Sequence, residues 1–222
     1  MNSLMKRIAE MYVAEKAGTS NVCLACKASS NEKGKTNLGP IPIYHVGDKF
    51  ENDKKKVAIV GLAAYGWDEV IGDRSLANED DTLKIMQKVR DCFIKIINED
   101  KKPYISTIRD ILIQSYGTLE NGLDRVAITN VVHCNLGQVS NGVTTDMRAY
   151  CAHSGQGFLL TKKELDILNP NRILALAGSR GNDYLKDHWG LDQNIIKYKM
   201  NPSARGTARQ EYVSDIVSFI NT

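Results

Sequence analysis

The sequence predicts an α/β fold, a three-layer α/β/α sandwich built around a central four-stranded, mostly parallel sheet. Compact apolar runs alternate with amphipathic helical patterns along the 222 residues, and this alternation is typical of that class. The length suits a single domain, residues 1–222, better than two domains. Hydrophobic residues make up 42% of the chain and charged residues 25%, which is ordinary for a globular protein and argues against disorder.

The start of the chain has the pattern of a short amphipathic helix. Leu4, Ile8 and Met11 fall at helical spacing, so we expect residues 1–18 to form a helix that docks on the core. Charged residues such as Glu10 interrupt the apolar positions, which leaves no apolar run for a signal peptide or a membrane span. We therefore expect a cytoplasmic protein with no membrane partner.

A polar stretch rich in Ser, Asn, Gly and Lys precedes the first strand. We interpret residues 27–55 as a surface loop segment and His45 within it as a surface histidine. The first strand, over residues 57–60, is apolar throughout and is bounded by three lysines and a glycine. A run of that kind is typical of a buried parallel strand.

Helical spacing recurs later in the chain. Apolar residues repeat at steps of three and four over 80–97, again after Pro103, and over 207–222. Another, shorter helix is predicted to begin at a Thr161 cap with Glu164 three residues on, and to end at a proline.

The remaining strands are predicted over 125–134, 172–178 and 195–200, with a helical connector over 181–190. In a parallel sheet of this class, ligands bind outside the carboxyl ends of the strands. We therefore expect the functional residues in the segments that follow the strands, which are 61–67, 130–134, 178–181 and the stretch from 201.

Four of the five cysteines have a spacing that suggests a metal site. Cys23 and Cys26 form a C-x2-C pair, and Cys134 and Cys151 follow the second strand. Thiols in a chain without a secretory signal stay reduced, and four thiolates can hold either zinc or an iron–sulfur cluster. Isolated free thiols are the alternative, and Cys92, on the apolar face of a helix, is predicted to be a core cysteine.

Five features follow one another along the chain, namely "VAIVGLA", "AITNVVHC", a later cysteine, "KKELDILNPNRILALAG" and "MNPSARG". In this order and spacing they resemble the uracil-DNA glycosylase superfamily. The resemblance is closest to its iron–sulfur branch, with a diverged first motif and Asn-Pro-Ser in the second, and it covers approximately residues 20–220.

The resemblance implies a [4Fe–4S] cluster as the cofactor, in preference to zinc. In that branch an amino-terminal C-x2-C joins a cysteine directly after a "TN" strand and another cysteine further on. On this basis the metal ligands are Cys23, Cys26, Cys134 and Cys151.

The resemblance also implies a pocket for an extruded base. Asn130 is expected to read the uracil edge, because an amide offers both a donor and an acceptor. Tyr65 or Trp67 would stack on the base. The alternatives are an asparagine that caps the loop after a strand, and aromatic residues that belong to the core.

The first motif of the superfamily departs from its usual form in this chain. Most branches carry Asp, Glu or Asn there as the water-positioning residue, whereas the loop here has Gly61, Leu62 and Ala63. Asp68 follows closely and could replace the missing carboxylate, or it could simply favour a helix dipole.

The second motif is expected to enter the minor groove of DNA. Asn201 takes the position where the iron–sulfur branch usually has histidine, and its amide could donate to the uracil oxygen. Pro202 fixes the backbone, Ser203 could hold a phosphate, and Arg205 and Arg209 would contact phosphates or wedge into the duplex. A solvated helix start is the alternative for the two arginines.

These features predict a DNA repair glycosylase that hydrolyses the N-glycosidic bond of uracil or another deaminated base. The partner is DNA containing a damaged base, and we expect a monomer. The net charge of +3 permits a polyanionic partner without demanding one. The alternative is a catalytically impaired or inactive iron–sulfur module that binds nucleic acid on the same fold.

Overall fold

The computed structural model describes residues 3–32, 39–63, 76–133, 156–178, 195–199 and 209–222. The helices there are α1 (Ser3–Ala14), α2 (Asn21–Glu32), α3 (Glu79–Glu99), α4 (Pro103–Tyr116), α5 (Leu119–Arg125), α6 (Gln156–Leu168) and α7 (Arg209–Asn221). The strands are β1 (His45–Val46), β2 (Val57–Ala63), β3 (Val126–Val132), β4 (Arg172–Ala175) and β5 (Ile196–Tyr198), and a short 3-10 helix lies at Phe50–Asn52.

The strands of the described residues form one sheet in the order β1-β3-β2-β4-β5. β2 pairs with β4 in parallel, with Val57 opposite Arg172, and β4 pairs with β5 in parallel. The two-residue β1 pairs with β3 in antiparallel fashion, with His45 opposite Ile128. The predicted α/β class with a mostly parallel sheet is confirmed, and β1 adds a fifth strand to the four that were predicted.

Two compact units divide the chain. The first comprises Met1–Ile43, Ala63–Val89 and Asn130–Ile167, and the second comprises Tyr44–Leu62, Arg90–Thr129 and Leu168–Thr222.

In the second unit, apolar strands and one central helix make the core. The side chains of residues 57–60 in β2 and of Ile173 and Leu174 in β4 are buried, as expected for strands covered on both faces. Helix α4 packs against both α5 and α7. Gly117 ends α4 with a φ of 86°, a left-handed conformation that glycine adopts without strain.

In the first unit, α1 buries one apolar face, on which Leu4 and Ile8 lie as predicted, whereas Met11 is only partly buried. The helix covers Ser3–Ala14 within the predicted segment 1–18. Its buried side chains are Leu4, Met5, Ile8, Ala9 and Tyr12. The tyrosine brings a hydroxyl into this apolar face, and that hydroxyl has buried partners described below.

The interpretation of 27–55 as a surface loop is wrong for its central part. Residues 40–47 are buried, and β1 lies among them. His45 is only 1% exposed, and its Nε2 donates to the carbonyl of Leu123 at 2.7 Å. That carbonyl is one of the last in α5 and has no partner within its helix, so the segment terminates α5 instead of lying in solvent.

The predicted cap at Thr161 is also wrong. Helix α6 begins at Gln156, so Thr161 lies inside the helix, where its side chain is fully buried. Thr161 and Glu164 match the local capping pattern, but both side chains find partners in the tertiary structure. The predicted connector over 181–190 lies outside the described residues.

Candidate functional site

Asn130 lies near the carboxyl end of β3, inside the strand rather than in the loop after it. The residue is 5% exposed. A buried asparagine at the end of a strand has to satisfy two donors and an acceptor, so its surroundings must be polar. Polar groups of α6 and of the segment 39–43 lie at the end of this strand, where they contact the backbone of Asn130 and the side chain of His133.

The hydroxyl of Thr161 ties α6 to the backbone of Asn130. It donates to the carbonyl oxygen of Asn130 at 2.9 Å and lies 3.4 Å from the carbonyl oxygen of Val131. Both residues are buried. A buried hydrogen bond of this length restrains the last residues of the strand, because breaking it would cost the folded state a buried donor–acceptor contact.

His133 continues this polar arrangement directly after β3. Its Nδ1 lies 2.8 Å from the carbonyl of Ile41, and a carbonyl only accepts, so Nδ1 carries the proton. Nε2 lies 3.0 Å from the hydroxyl oxygen of Thr161. The backbone N–H of Ile41 in turn donates to the carbonyl of His133 at 2.6 Å. The end of β3 is therefore held from two sides.

Glu164 and Tyr12 complete the buried cluster. The hydroxyl of Tyr12 donates to Glu164 Oε1 and accepts the N–H of Ile43 at 2.8 Å. Glu164 is 0% exposed, and its Oε1 lies 3.7 Å from Nε2 of His133.

Burial decides the protonation states in this cluster. It raises the pKa of Glu164 well above its usual value and lowers the pKa of His133 to about 4. Burial therefore disfavours the charged form of both groups.

The amino-terminal cysteine pair lies on α2. Ser20 caps that helix by accepting the N–H of Cys23 at 3.3 Å, and the N–H of Gly18 donates to the Cys23 sulfur at 3.3 Å. Hydrogen bonds to sulfur are a usual feature of iron–sulfur ligation, so Cys23 fits a cluster ligand. Cys26 follows three residues later in the same helix.

The other two predicted ligands, Cys134 and Cys151, lie outside the described residues. Within those residues, no group of three or more His, Cys, Asp or Glu side chains is arranged to hold a metal ion. Cys92 lies half-buried on α3, at the margin of the core rather than fully inside it as predicted.

The first motif is strand where a loop was expected. β2 continues through Gly61, Leu62 and Ala63, three residues beyond the predicted end of the strand. The backbone of these residues is therefore extended, as in the rest of the strand, up to the carboxyl edge of the sheet. Tyr65, Trp67 and Asp68 lie outside the described residues.

The strand order places a topological switch point beside this motif. From β2 the chain passes to β3 on one side of the sheet, whereas β4 neighbours β2 on the other side and leads outward to β5. In α/β sheets, ligands bind outside the carboxyl ends of the strands at such a point. Gly178, with a φ of 74°, turns the chain after β4 at this edge.

The second motif follows β5, which ends at Tyr198. Asn201, Pro202, Ser203 and Arg205 lie outside the described residues. Arg209 is the first residue of α7, and its Nη2 pairs with Asp110 Oδ2 at 2.5 Å. A phosphate that binds Arg209 therefore has to compete with this carboxylate.

Sequence reasoning did not single out four members of the buried cluster, namely Tyr12, His133, Thr161 and Glu164, although His133 lies in the segment 130–134 where functional residues were expected. One signal was available in the helix, because Thr161, Glu164, Leu165 and Leu168 follow the spacing of one buried face. The signal was ambiguous, because the same threonine and glutamate fit a helix cap.

Comparison with models of known protein families and with curated proteins finds no match for this chain. The resemblance to the glycosylase superfamily therefore depends on the motifs alone. Among the described residues, no helix has the length and apolar character needed to cross a membrane.

Proposed function

We propose that this protein is a DNA repair glycosylase that hydrolyses the N-glycosidic bond of uracil or another deaminated base. The observation that carries the proposal is the burial of Asn130 at the carboxyl end of β3, on backbone that Thr161 restrains. This is the asparagine that the glycosylase resemblance assigns to base reading.

A base-reading amide needs a fixed position to discriminate between bases. A flipped pyrimidine is recognised by hydrogen bonds to its Watson–Crick edge, and each of these bonds requires correct distance and angle. Binding groups perform best when their supporting contacts hold them in place before the ligand arrives. The hydrogen bond from Thr161 to the Asn130 carbonyl is such a contact.

Cleavage of the bond develops positive charge on the sugar and negative charge on the departing base. In the proposed reaction, a dissociative hydrolysis without a covalent enzyme intermediate, Asn201 donates to the uracil oxygen. A neutral amide stabilises an anion less than an imidazolium does, so this step is expected to be slower than in relatives that carry histidine. Asp68 is the proposed group that orients water or steadies the sugar cation.

Cys23, Cys26, Cys134 and Cys151 would hold a [4Fe–4S] cluster in this proposal. The sulfur environment of Cys23 supports that assignment, because a backbone N–H already points at it. The cluster would tie the amino-terminal segment to the chain after β3.

A second function, a catalytically impaired iron–sulfur module that binds nucleic acid, is favoured by one observation. The first motif offers only Gly61, Leu62 and Ala63 at the end of β2, with no polar side chain for water. Without a group that positions water, the protein would still bind nucleic acid but would release no base.

Two measurements on the purified protein separate these functions. Oligonucleotides with one uracil, hypoxanthine or mismatched base are incubated with the protein and scored for alkali-labile abasic sites, and binding to the same strands is measured in parallel. Abasic product above a protein-free blank supports the glycosylase. If the protein binds the oligonucleotides but forms no abasic product from any of them, the result supports the inactive module. If it neither binds them nor forms product, both proposals are overturned.

A further inference from the structure

A row of basic side chains lies along one face of α7 in the second unit. The helix presents Tyr212, Asp215 and Phe219 at spacings of three and four, so these side chains share a face. Four cations from other segments line that face. They are Lys199, Lys197, Arg172 and Lys55, here called the α7 basic stripe.

Each cation of the stripe has a defined contact on the helix. Lys199 Nζ lies 5.7 Å from the ring centre of Tyr212, and Lys197 Nζ lies 5.6 Å from that of Phe219. The guanidinium carbon of Arg172 lies 5.7 Å from the same Phe219 ring.

Lys55 lies at the far end of the row. Its Nζ donates to the side-chain oxygen of Asn221 at 3.3 Å. The order along the helix from its amino end is therefore Lys199, Lys197, Arg172 and Lys55.

Positive charge exceeds negative charge along the stripe. Lys197 pairs with Asp215 at 2.6 Å, and Lys199 pairs with the same carboxylate. Neither Arg172 nor Lys55 has a carboxylate partner among the described residues. Glu211 lies one turn before Asp215 on the same helix, so four cations stand against two carboxylates, which leaves two positive charges in excess.

The stripe has the dimensions of a short nucleic-acid strand. The span from Tyr212 to Asn221 is roughly 13 Å at about 1.5 Å per residue. One strand of a duplex carries a phosphate per about 3.4 Å of axis, so the stripe could run beside about four phosphates.

The contacts with aromatic rings favour anion binding by these lysines, compared with lysines that move freely in solvent. A lysine held over a ring has already lost part of its side-chain freedom, so less entropy is lost when a phosphate binds it. The side chains of Lys197 and Lys199 remain 25% and 28% exposed, which leaves them accessible to an anion.

We propose that the α7 basic stripe binds the phosphate backbone of nucleic acid, outside the base-reading site. The choice of nucleic acid as the polyanion rests on the proposed function, whereas the stripe itself rests on the contacts above.

The test measures binding of the full chain to undamaged single- and double-stranded oligonucleotides by fluorescence anisotropy over a series of salt concentrations. The stripe variant is Lys55→Gln/Lys197→Gln. The control is Lys101→Gln/Lys102→Gln, which removes the same charge from exposed lysines of the same unit. Lys55→Gln alone, at an exposed residue, tests the stripe without touching the Asp215 pairs.

We expect the stripe variant to weaken binding about tenfold or more at 0.1 M salt and to reduce the slope of log K against log salt by about two. The single variant should reduce the slope by about one, and the control should change binding less than about twofold. Equal losses in the stripe and control variants, or no loss in either, would overturn the inference. Undamaged strands need no base excision, so this outcome is independent of the glycosylase proposal.

Discussion

The hydroxyl of Thr161 on α6 donates a 2.9 Å hydrogen bond to the backbone carbonyl of Asn130 on β3. Through His133 and Glu164 the same cluster reaches Tyr12 on α1. The proposed base-reading residue is therefore supported by contacts from helices that lie far away in the sequence. This arrangement leads to predictions on stability, protonation and activity.

Removal of the Thr161 hydroxyl should be costly. Thr161→Val keeps the shape but removes the buried donor to the Asn130 carbonyl, so we expect a loss of about 1–3 kcal/mol in the free energy of unfolding. Thr161→Ser keeps the hydroxyl and should lose only about 1 kcal/mol for the buried methyl group. Urea denaturation compares the two variants.

The same pair of variants tests the role of Thr161 in positioning Asn130. If the protein releases uracil, kcat should fall roughly tenfold in Thr161→Val, equivalent to about 1.4 kcal/mol, and recover in Thr161→Ser. Equal stability and equal kcat in the two variants would show that the hydroxyl positions nothing.

Glu164 should tolerate an amide but not truncation. A neutral carboxylic acid and a glutamine have nearly the same shape and polarity, so Glu164→Gln should cost less than about 1 kcal/mol. Glu164→Ala leaves a cavity and removes the partner of Tyr12, so it should cost about 2–5 kcal/mol. If the glutamine variant proves as unstable as the alanine variant near pH 7, Glu164 is ionised against His133.

His45 should make stability depend on pH. Burial lowers its pKa from 6.5 to about 4, so the unfolded state takes up a proton first as the pH falls. Stability is therefore fully present above pH 6.5 and is lost towards pH 4, by at most about 3 kcal/mol. His133 and Glu164 act against each other in this range, because the raised pKa of Glu164 favours the folded state towards low pH and the lowered pKa of His133 favours it towards high pH.

Unfolding of the His45→Gln variant in urea at several pH values checks this prediction. A glutamine amide can still donate to the Leu123 carbonyl but does not titrate. The variant should show a nearly flat stability between pH 4.5 and 6.5, whereas the unmodified protein should lose stability across that range. The same slope in both proteins would assign the pH dependence to other groups.

The cluster assignment predicts different outcomes for two cysteines. Cys23→Ser should abolish iron and acid-labile sulfide in anaerobically purified protein, because it removes one of four proposed ligands. Cys92→Ser is the control, since burial raises the pKa of the Cys92 thiol and disfavours the thiolate that binds metal. Retention of iron in Cys23→Ser, or zinc in the unmodified protein, would contradict the assignment.

The regular elements could be predicted where the chain repeats one period over many residues. The apolar run at 57–60 correctly predicted a strand, and the helical spacing at 80–97 correctly predicted a helix. Burial against a sheet or along one helix face imposes these patterns of apolar residues on the sequence. β1 was missed, since a two-residue strand has no period to detect.

The buried cluster could not be predicted, because its contacts join residues far apart in the sequence. Thr161 looked like a cap from its neighbours, yet its partner Asn130 comes from another strand. His45 looked exposed among polar residues, yet it completes the end of α5. Short-range patterns carry no information on such contacts.

Release of free uracil from a single-stranded oligonucleotide tests the central claim most directly, with the unmodified protein, Asn130→Ala and Asn121→Ala compared side by side. Asn121 is an exposed asparagine on α5 and serves as the matched control. We predict release by the unmodified protein and by Asn121→Ala, and a loss of about a hundredfold or more in Asn130→Ala, as for the removal of a group that holds the reacting substrate. Release that is unchanged in Asn130→Ala, or absent from the unmodified protein, would contradict the account.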